Sequence, residues 1–157
     1  MFILRRVYVL SRNAASNAYL PTPKKLQIRT RSFGTDKNQS PKMDPKREVT
    51  YEEVLKKINA PHKTIIDVRN PDEVESTGLI PSSVNIPLDN LKKTLSMSEG
   101  EFRQQYNREK PSVNDEIVFY CRSGKRASAA TEQALSMGYN KSKTYLGSWT
   151  EWSDKQK

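Results

Sequence analysis

Three features of this 157-residue sequence predict an α/β fold, a parallel sheet with helices on both faces. Short β-branched apolar runs alternate with helix-capping patterns from residue 48 onward. The runs are continuously apolar, as expected of strands buried on both sides. Each strand passes into a helix through a short turn, and that repetition favours parallel strands joined by crossover helices.

Thr50-Tyr51-Glu52-Glu53 is a capping box, and Val54, Leu55 and Ile58 give one apolar helical face, so a first helix is expected at about 50–59. Lys63-Thr64-Ile65-Ile66-Asp67-Val68 reads as a buried strand. Asn70-Pro71-Asp72-Glu73 then supplies an N-cap, a proline at the first helical position and a box-closing Glu. Val84 to Leu88 reads as a short strand, and Ser98-Glu99-Gly100-Glu101 caps a helix carrying Phe102 and Tyr106. Glu116-Ile117-Val118-Phe119-Tyr120 is the most apolar strand. A loop leads from it to a helix at about 127–137, ended by Gly138. Thr144-Tyr145-Leu146 gives a last strand and Trp149 to Asp154 a terminal helix.

The formal charge of +9 is unevenly placed. Arg5, Arg6, Arg12, Lys24, Lys25, Arg29 and Arg31 precede the first acid, Asp36, and the remainder holds 20 basic against 18 acidic residues. Such a balance does not indicate a nucleic-acid-binding domain. Residues 1–34, basic and Ser-containing with apolar residues between the cations, have the composition of a mitochondrial transit peptide. A basic tail on a cytoplasmic protein is the competing reading. Arg5-Arg6 interrupts the one apolar run, which is too short for a secretory signal or a membrane span. Residues 35–47 are polar, contain Pro41 and Pro45, and are expected to be a disordered linker before a domain at 48–157. One cysteine excludes an internal disulfide, and one histidine, His62 in a turn-like stretch, leaves no cluster with metal-ligand spacing. No metal and no cofactor are implied.

The chemistry falls on Cys121-Arg122-Ser123-Gly124-Lys125-Arg126, between a strand end and a helix start, where parallel sheets collect functional groups. The helix N-terminus and three nearby cations favour a thiolate at Cys121 over a thiol. Gly124 lets the loop curl so that its N–H groups form an anion cradle. A small buried hydrophobe is the ordinary role of a lone cysteine, but the Arg-Ser-Gly-Lys-Arg that follows argues against it here.

Four stretches in order carry a family resemblance. They are Asp67-Val68-Arg69 with Pro71 and Glu73; Gly78 to Leu88; Cys121 to Arg126; and Gly147-Ser148-Trp149-Thr150-Glu151-Trp152. Together, over about residues 48–153, the chain resembles the rhodanese homology domain, most nearly the small single-domain thiosulfate sulfurtransferases. The resemblance implies a sheet of about five parallel strands and a Cys121 that carries sulfur as a persulfide. It implies a small anionic sulfur donor such as thiosulfate, held by Arg122, Ser123, Gly124, Lys125 and Arg126. The acceptor it implies is cyanide or a thiol, including a protein thiol. Asp67 and Arg69 match a motif that braces the sheet end, and Trp149 belongs to the core or walls the pocket. A mitochondrial-matrix monomer is expected.

Two positions depart from the two-domain thiosulfate sulfurtransferases: Ser123 stands where they have lysine, and Glu73 where they have arginine. A non-enzymatic rhodanese module is the alternative function. A phosphatase of the same architecture is a weaker one, because only four residues separate Cys121 from Arg126 where those enzymes have five.

Overall fold

The computed structural model describes residues 44–60 and 63–157. The expected transit peptide, linker residues 35–43 and His62 lie outside them. Among the described residues, five strands form one wholly parallel sheet: β1 (Glu48–Val49), β2 (Lys63–Asp67), β3 (Ser83–Asn85), β4 (Glu116–Tyr120) and β5 (Ser142–Tyr145). Their spatial order is β1-β5-β4-β2-β3, so β4 and β2 lie at the centre. Among the described residues, five helices lie between the strands, α1 (Tyr51–Ile58), α2 (Pro71–Thr77), α3 (Leu91–Leu95), α4 (Glu99–Tyr106) and α5 (Lys125–Ser136), and a sixth, α6 (Ser148–Lys155), follows β5.

The continuous apolar runs of the central strands become two cores by simple alternation, because successive side chains point to opposite faces. Ile66, Ile117 and Phe119 join Leu91 and Leu95 of α3, Phe102 of α4 and Ala127, Ala130 and Ala134 of α5. Ile65, Val118 and Tyr120 join Val54 of α1 and Trp152 of α6. The small alanines on α5 let that helix lie close to the sheet. Each large side chain so buried contributes on the order of 1.5–3 kcal/mol.

The capping signals act as the sequence implies. Thr50 Oγ1 accepts the Glu53 N–H at 3.3 Å while Glu53 accepts the Thr50 N–H at 2.8 Å. Ser98 and Glu101 repeat the arrangement, with the Ser98 N–H donating to Glu101 at 2.8 Å.

Several boundaries differ from expectation. The linker does not extend to residue 47: Pro45–Arg47 form a 3-10 turn capped by Asp44, and Arg47 Nη1 donates to the Asn140 carbonyl at 3.0 Å. Proline in the first turn and a long-range anchor order a stretch whose composition is that of a linker. Residues 88–90 are a 3-10 turn leading into α3, not the end of a strand. Helix α5 begins at Lys125, two residues before the expected start, because Gly124 adopts φ 87° and turns the chain into the helix at once.

Candidate active site

Cys121 directly follows β4 and is only 1% exposed. Here the sheet's ladder is carried on by groups that are not strand. β5 ends at Tyr145, yet Ser148 Oγ accepts the Cys121 N–H at 3.2 Å and the Trp149 N–H donates to the Cys121 carbonyl at 2.9 Å. The next carbonyl, that of Arg122, accepts from the Thr150 N–H at 3.1 Å and the Thr150 hydroxyl at 2.9 Å. Trp149 and Thr150 lie in the first turn of α6, where N–H groups have no partner within the helix. The loop carbonyls supply those partners. Because a trans peptide directs its C=O and its N–H oppositely, the N–H groups of Arg122 and Ser123 are turned away from α6.

Two residues set the sulfur's surroundings. The Gly124 N–H donates to Cys121 Sγ at 3.1 Å. Gly124 is required twice over: its φ of 87° is left-handed, and a Cβ there would stand 2.6 Å from the Leu146 carbonyl oxygen. Ser148, fully buried with φ 51°, donates to the Tyr145 carbonyl at 2.8 Å and places its Oγ 4.0 Å from Sγ. A positive φ at serine is uncommon. The chain holds it through hydrogen bonds to the start of the Cys121 loop and to the last residue of β5. Sequence reasoning passed over Ser148, since a lone serine in a Gly-Ser-Trp run signals neither burial nor a left-handed backbone.

The remaining loop residues divide. Arg122, Ser123 and Lys125 are exposed. Arg126 points to α2, where Nη1 and Nη2 meet the two carboxylate oxygens of Glu73 at 2.5 and 2.7 Å. That guanidinium holds the Glu73 carboxyl down from an ordinary 4.5 to about 2, and Glu73 in turn raises Arg126. Glu73 also accepts the Asn70 N–H at 3.1 Å, the helix-capping role read from sequence.

Beneath the loop Asp67 and Arg69 are both buried. Arg69 Nε lies 3.1 and 2.8 Å from the two Asp67 oxygens, and Nη2 lies 2.6 Å from Oδ2. Nη2 also donates to the Gly78 carbonyl at 2.7 Å, and Nη1 to Thr77 Oγ1 at 2.8 Å. The guanidinium lies 4.6 Å from the Trp149 ring centre. Trp149 is half-buried, stacked on Arg69, and lines a cleft of about 480 Å³ with Arg69, Glu73, Thr77, Arg122 and Thr150. A second cleft of about 440 Å³, lined by Ser123, Gly124, Lys125 and Leu146, lies along the loop. The site therefore pairs a sulfur nucleophile with the Gly124 N–H donor and exposed cations, a set suited to anionic electrophiles.

Residues 50–155 match the Rhodanese-like domain family. The chain belongs to this family. Among rhodanese relatives, it is 45% identical over 107 residues to the Rhodanese domain-containing protein CG4456 of Drosophila melanogaster, covering 68% of this chain and 96% of the fly protein. It is 40% identical over 93 residues to the human Thiosulfate:glutathione sulfurtransferase, covering 59% of this chain and 80% of that one. Of solved structures, the human single-domain sulfurtransferase TSTD1 superposes with a TM-score of 0.66 at 35% identity, over 71% of this chain and 98% of that one. Two yeast relatives are named as mitochondrial. The chain is an enzyme of the rhodanese type, a sulfurtransferase. No helix among the described residues is long and apolar enough to cross a membrane.

Three outcomes follow from this geometry. Arg69→Ala leaves Asp67 charged and buried without its partner, and should cost about 3–5 kcal/mol in urea unfolding; a loss under 1 kcal/mol would contradict the brace. Ser148→Ala strands the buried Cys121 N–H and should cost about 1–3 kcal/mol, with a fall in Cys121 reactivity read by alkylation rate. Glu73 has its folded carboxyl lowered, so its contribution is complete above the ordinary 4.5 and is lost as pH falls toward about 2. Urea midpoints measured across that window should fall less steeply with acid in Glu73→Gln than in wild type.

Proposed function

We propose that the chain moves sulfane sulfur from thiosulfate, or a related donor such as glutathione persulfide, to a thiol or cyanide through a persulfide on Cys121. The observation that carries this reading is Cys121 Sγ at a strand end, receiving the Gly124 N–H at 3.1 Å from the loop that opens α5. A thiolate there is matched by a fixed N–H donor and the positive end of a helix.

In the first half-reaction the Cys121 thiolate attacks the outer sulfur of thiosulfate. The S–S bond of the donor breaks, its electron pair leaves with sulfite, and Cys121 becomes an anionic persulfide. In the second, an acceptor thiolate attacks the outer persulfide sulfur, taking it as a new persulfide and returning Cys121 as thiolate. Both steps conserve charge and need no external oxidant or cofactor. The N–H groups of Arg122, Ser123 and Gly124 hold the persulfide anion, and exposed Arg122 and Lys125 draw the donor in. Ser123, exposed beside them, meets the donor at the rim. The human relative's name, which pairs thiosulfate with glutathione, supports a thiol as acceptor. The mitochondrial names of two yeast relatives and the acid-free leader at 1–34 support import into the mitochondrial matrix. On this proposal the mature domain acts as a monomer.

Intact mass of the domain after incubation with thiosulfate tests the mechanism. Wild type should gain one sulfur and lose it on addition of glutathione or cyanide, while Cys121→Ser should gain none. Equal gain by the serine variant would sink the persulfide.

A further inference from the structure

The site's four flanking charges are unequally available. Arg122 and Lys125 are exposed and have no acidic partner within 4.0 Å among the described residues. Arg126, in the first turn of α5, is bound at both terminal nitrogens by Glu73 of α2, with the two side chains 32% and 27% exposed. A two-pronged guanidinium–carboxylate pair is the strongest geometry open to arginine, and both of the carboxylate's oxygens are used. Glu73 Oε2, the oxygen that accepts Arg126 Nη1, also accepts the Asn70 N–H of its own helix start. This carboxylate therefore cannot swing away without also giving up a helix cap.

We propose that Glu73 determines donor specificity. By holding Arg126 it cancels one positive charge at the mouth of the Cys121 loop and tilts the enzyme toward sulfur donors of lower negative charge. The inference rests on the persulfide reading above. A donor entering the loop meets two free cations and a neutral pair. To engage Arg126 it must either break the pair or sit beside a carboxylate that stays ionised throughout the neutral range. Either penalty grows with the donor's charge, so it falls harder on thiosulfate, a dianion, than on a thiosulfonate carrying one charge. A merely structural latch between α2 and α5 would instead affect all donors alike.

The measurement is kcat/KM for thiosulfate and for benzenethiosulfonate, with glutathione as the common acceptor, on wild type, Glu73→Gln and Glu73→Asp. Gln serves the capping role at this helix position as Glu does, so the first variant keeps the helix start while losing the charge. In Glu73→Gln the thiosulfate-to-thiosulfonate ratio should rise on the order of three- to tenfold, the size expected for removing one charge several ångströms from the donor. The gain should shrink as salt is raised from low to high. Glu73→Asp keeps the charge and should hold the ratio near that of wild type. Glu73→Ala is a second uncharged variant with the same expectation should Gln disturb folding. An unchanged ratio in the uncharged variants, or an equal change for both donors, overturns the proposal while leaving the persulfide mechanism standing. Absence of any sulfur gain on wild-type Cys121 by intact mass overturns both.

Discussion

Arg69 carries a full charge at 1% exposure, and it is the bulkiest of the described side chains that lie so deep. Taking a guanidinium out of water costs several kcal/mol unless nearly every donor is met. Asp67 meets Nε and Nη2, the Gly78 carbonyl takes the second Nη2 proton, Thr77 takes one from Nη1, and the Trp149 ring covers a face. Those partners come from the end of β2, the end of α2 and the start of α6. The cost of the buried charge is thus what forces three otherwise separate segments to converge under the loop. Tyr120 of β4 completes the layer: its hydroxyl accepts the Ile80 N–H at 3.0 Å, and burial, followed by the nearby Asp67 charge, pushes its ionisation upward so that it stays neutral.

On that base the loop and α6 complete each other. The loop's carbonyls cap the helix, and the helix's first N–H groups hold those carbonyls outward. Fixing the carbonyls fixes the peptide planes, and the opposite edge of each plane is an N–H. The sulfur cradle proposed above would therefore be a by-product of helix capping, prepared before any substrate arrives. Preorganised donors of this kind need no rearrangement during reaction. Ser148 is the joint between the two halves, which accounts for a serine in a left-handed backbone where glycine would be the usual residue.

How much of this was legible in the sequence depends on the range of the interaction. The capping boxes at Thr50 and Ser98 and the start at Asn70-Pro71 were readable because their partners lie three residues apart. The β4 run was readable from its length and branching. β1 and α3 were not, since two residues or five carry no period to detect. Cys121 stood out through its neighbours in the chain. The Glu73–Arg126 pair did not, because it joins positions 53 residues apart and each residue has a sufficient local role, one as helix cap and the other as loop cation. The depth of Asp67 and Arg69 was hidden for a similar reason: a charged pair two residues apart looks like surface until the segments that satisfy it are assembled.

A nucleophile buried to 1% exposure poses a problem of access that the proposed persulfide chemistry would resolve. Cys121 lies in one apolar cluster with Phe119 and Ala127, and its Sγ receives the Gly124 N–H from the loop. On that proposal, once sulfur is transferred the reactive atom would no longer be Sγ but the sulfur bonded to it, about 2 Å farther along the S–S bond. The reacting centre would then stand clear of the buried Sγ, beside a loop whose Arg122, Ser123 and Lys125 are exposed. On the proposed mechanism the two half-reactions would therefore place different steric demands on one fixed site, with unloading at a less buried atom than loading.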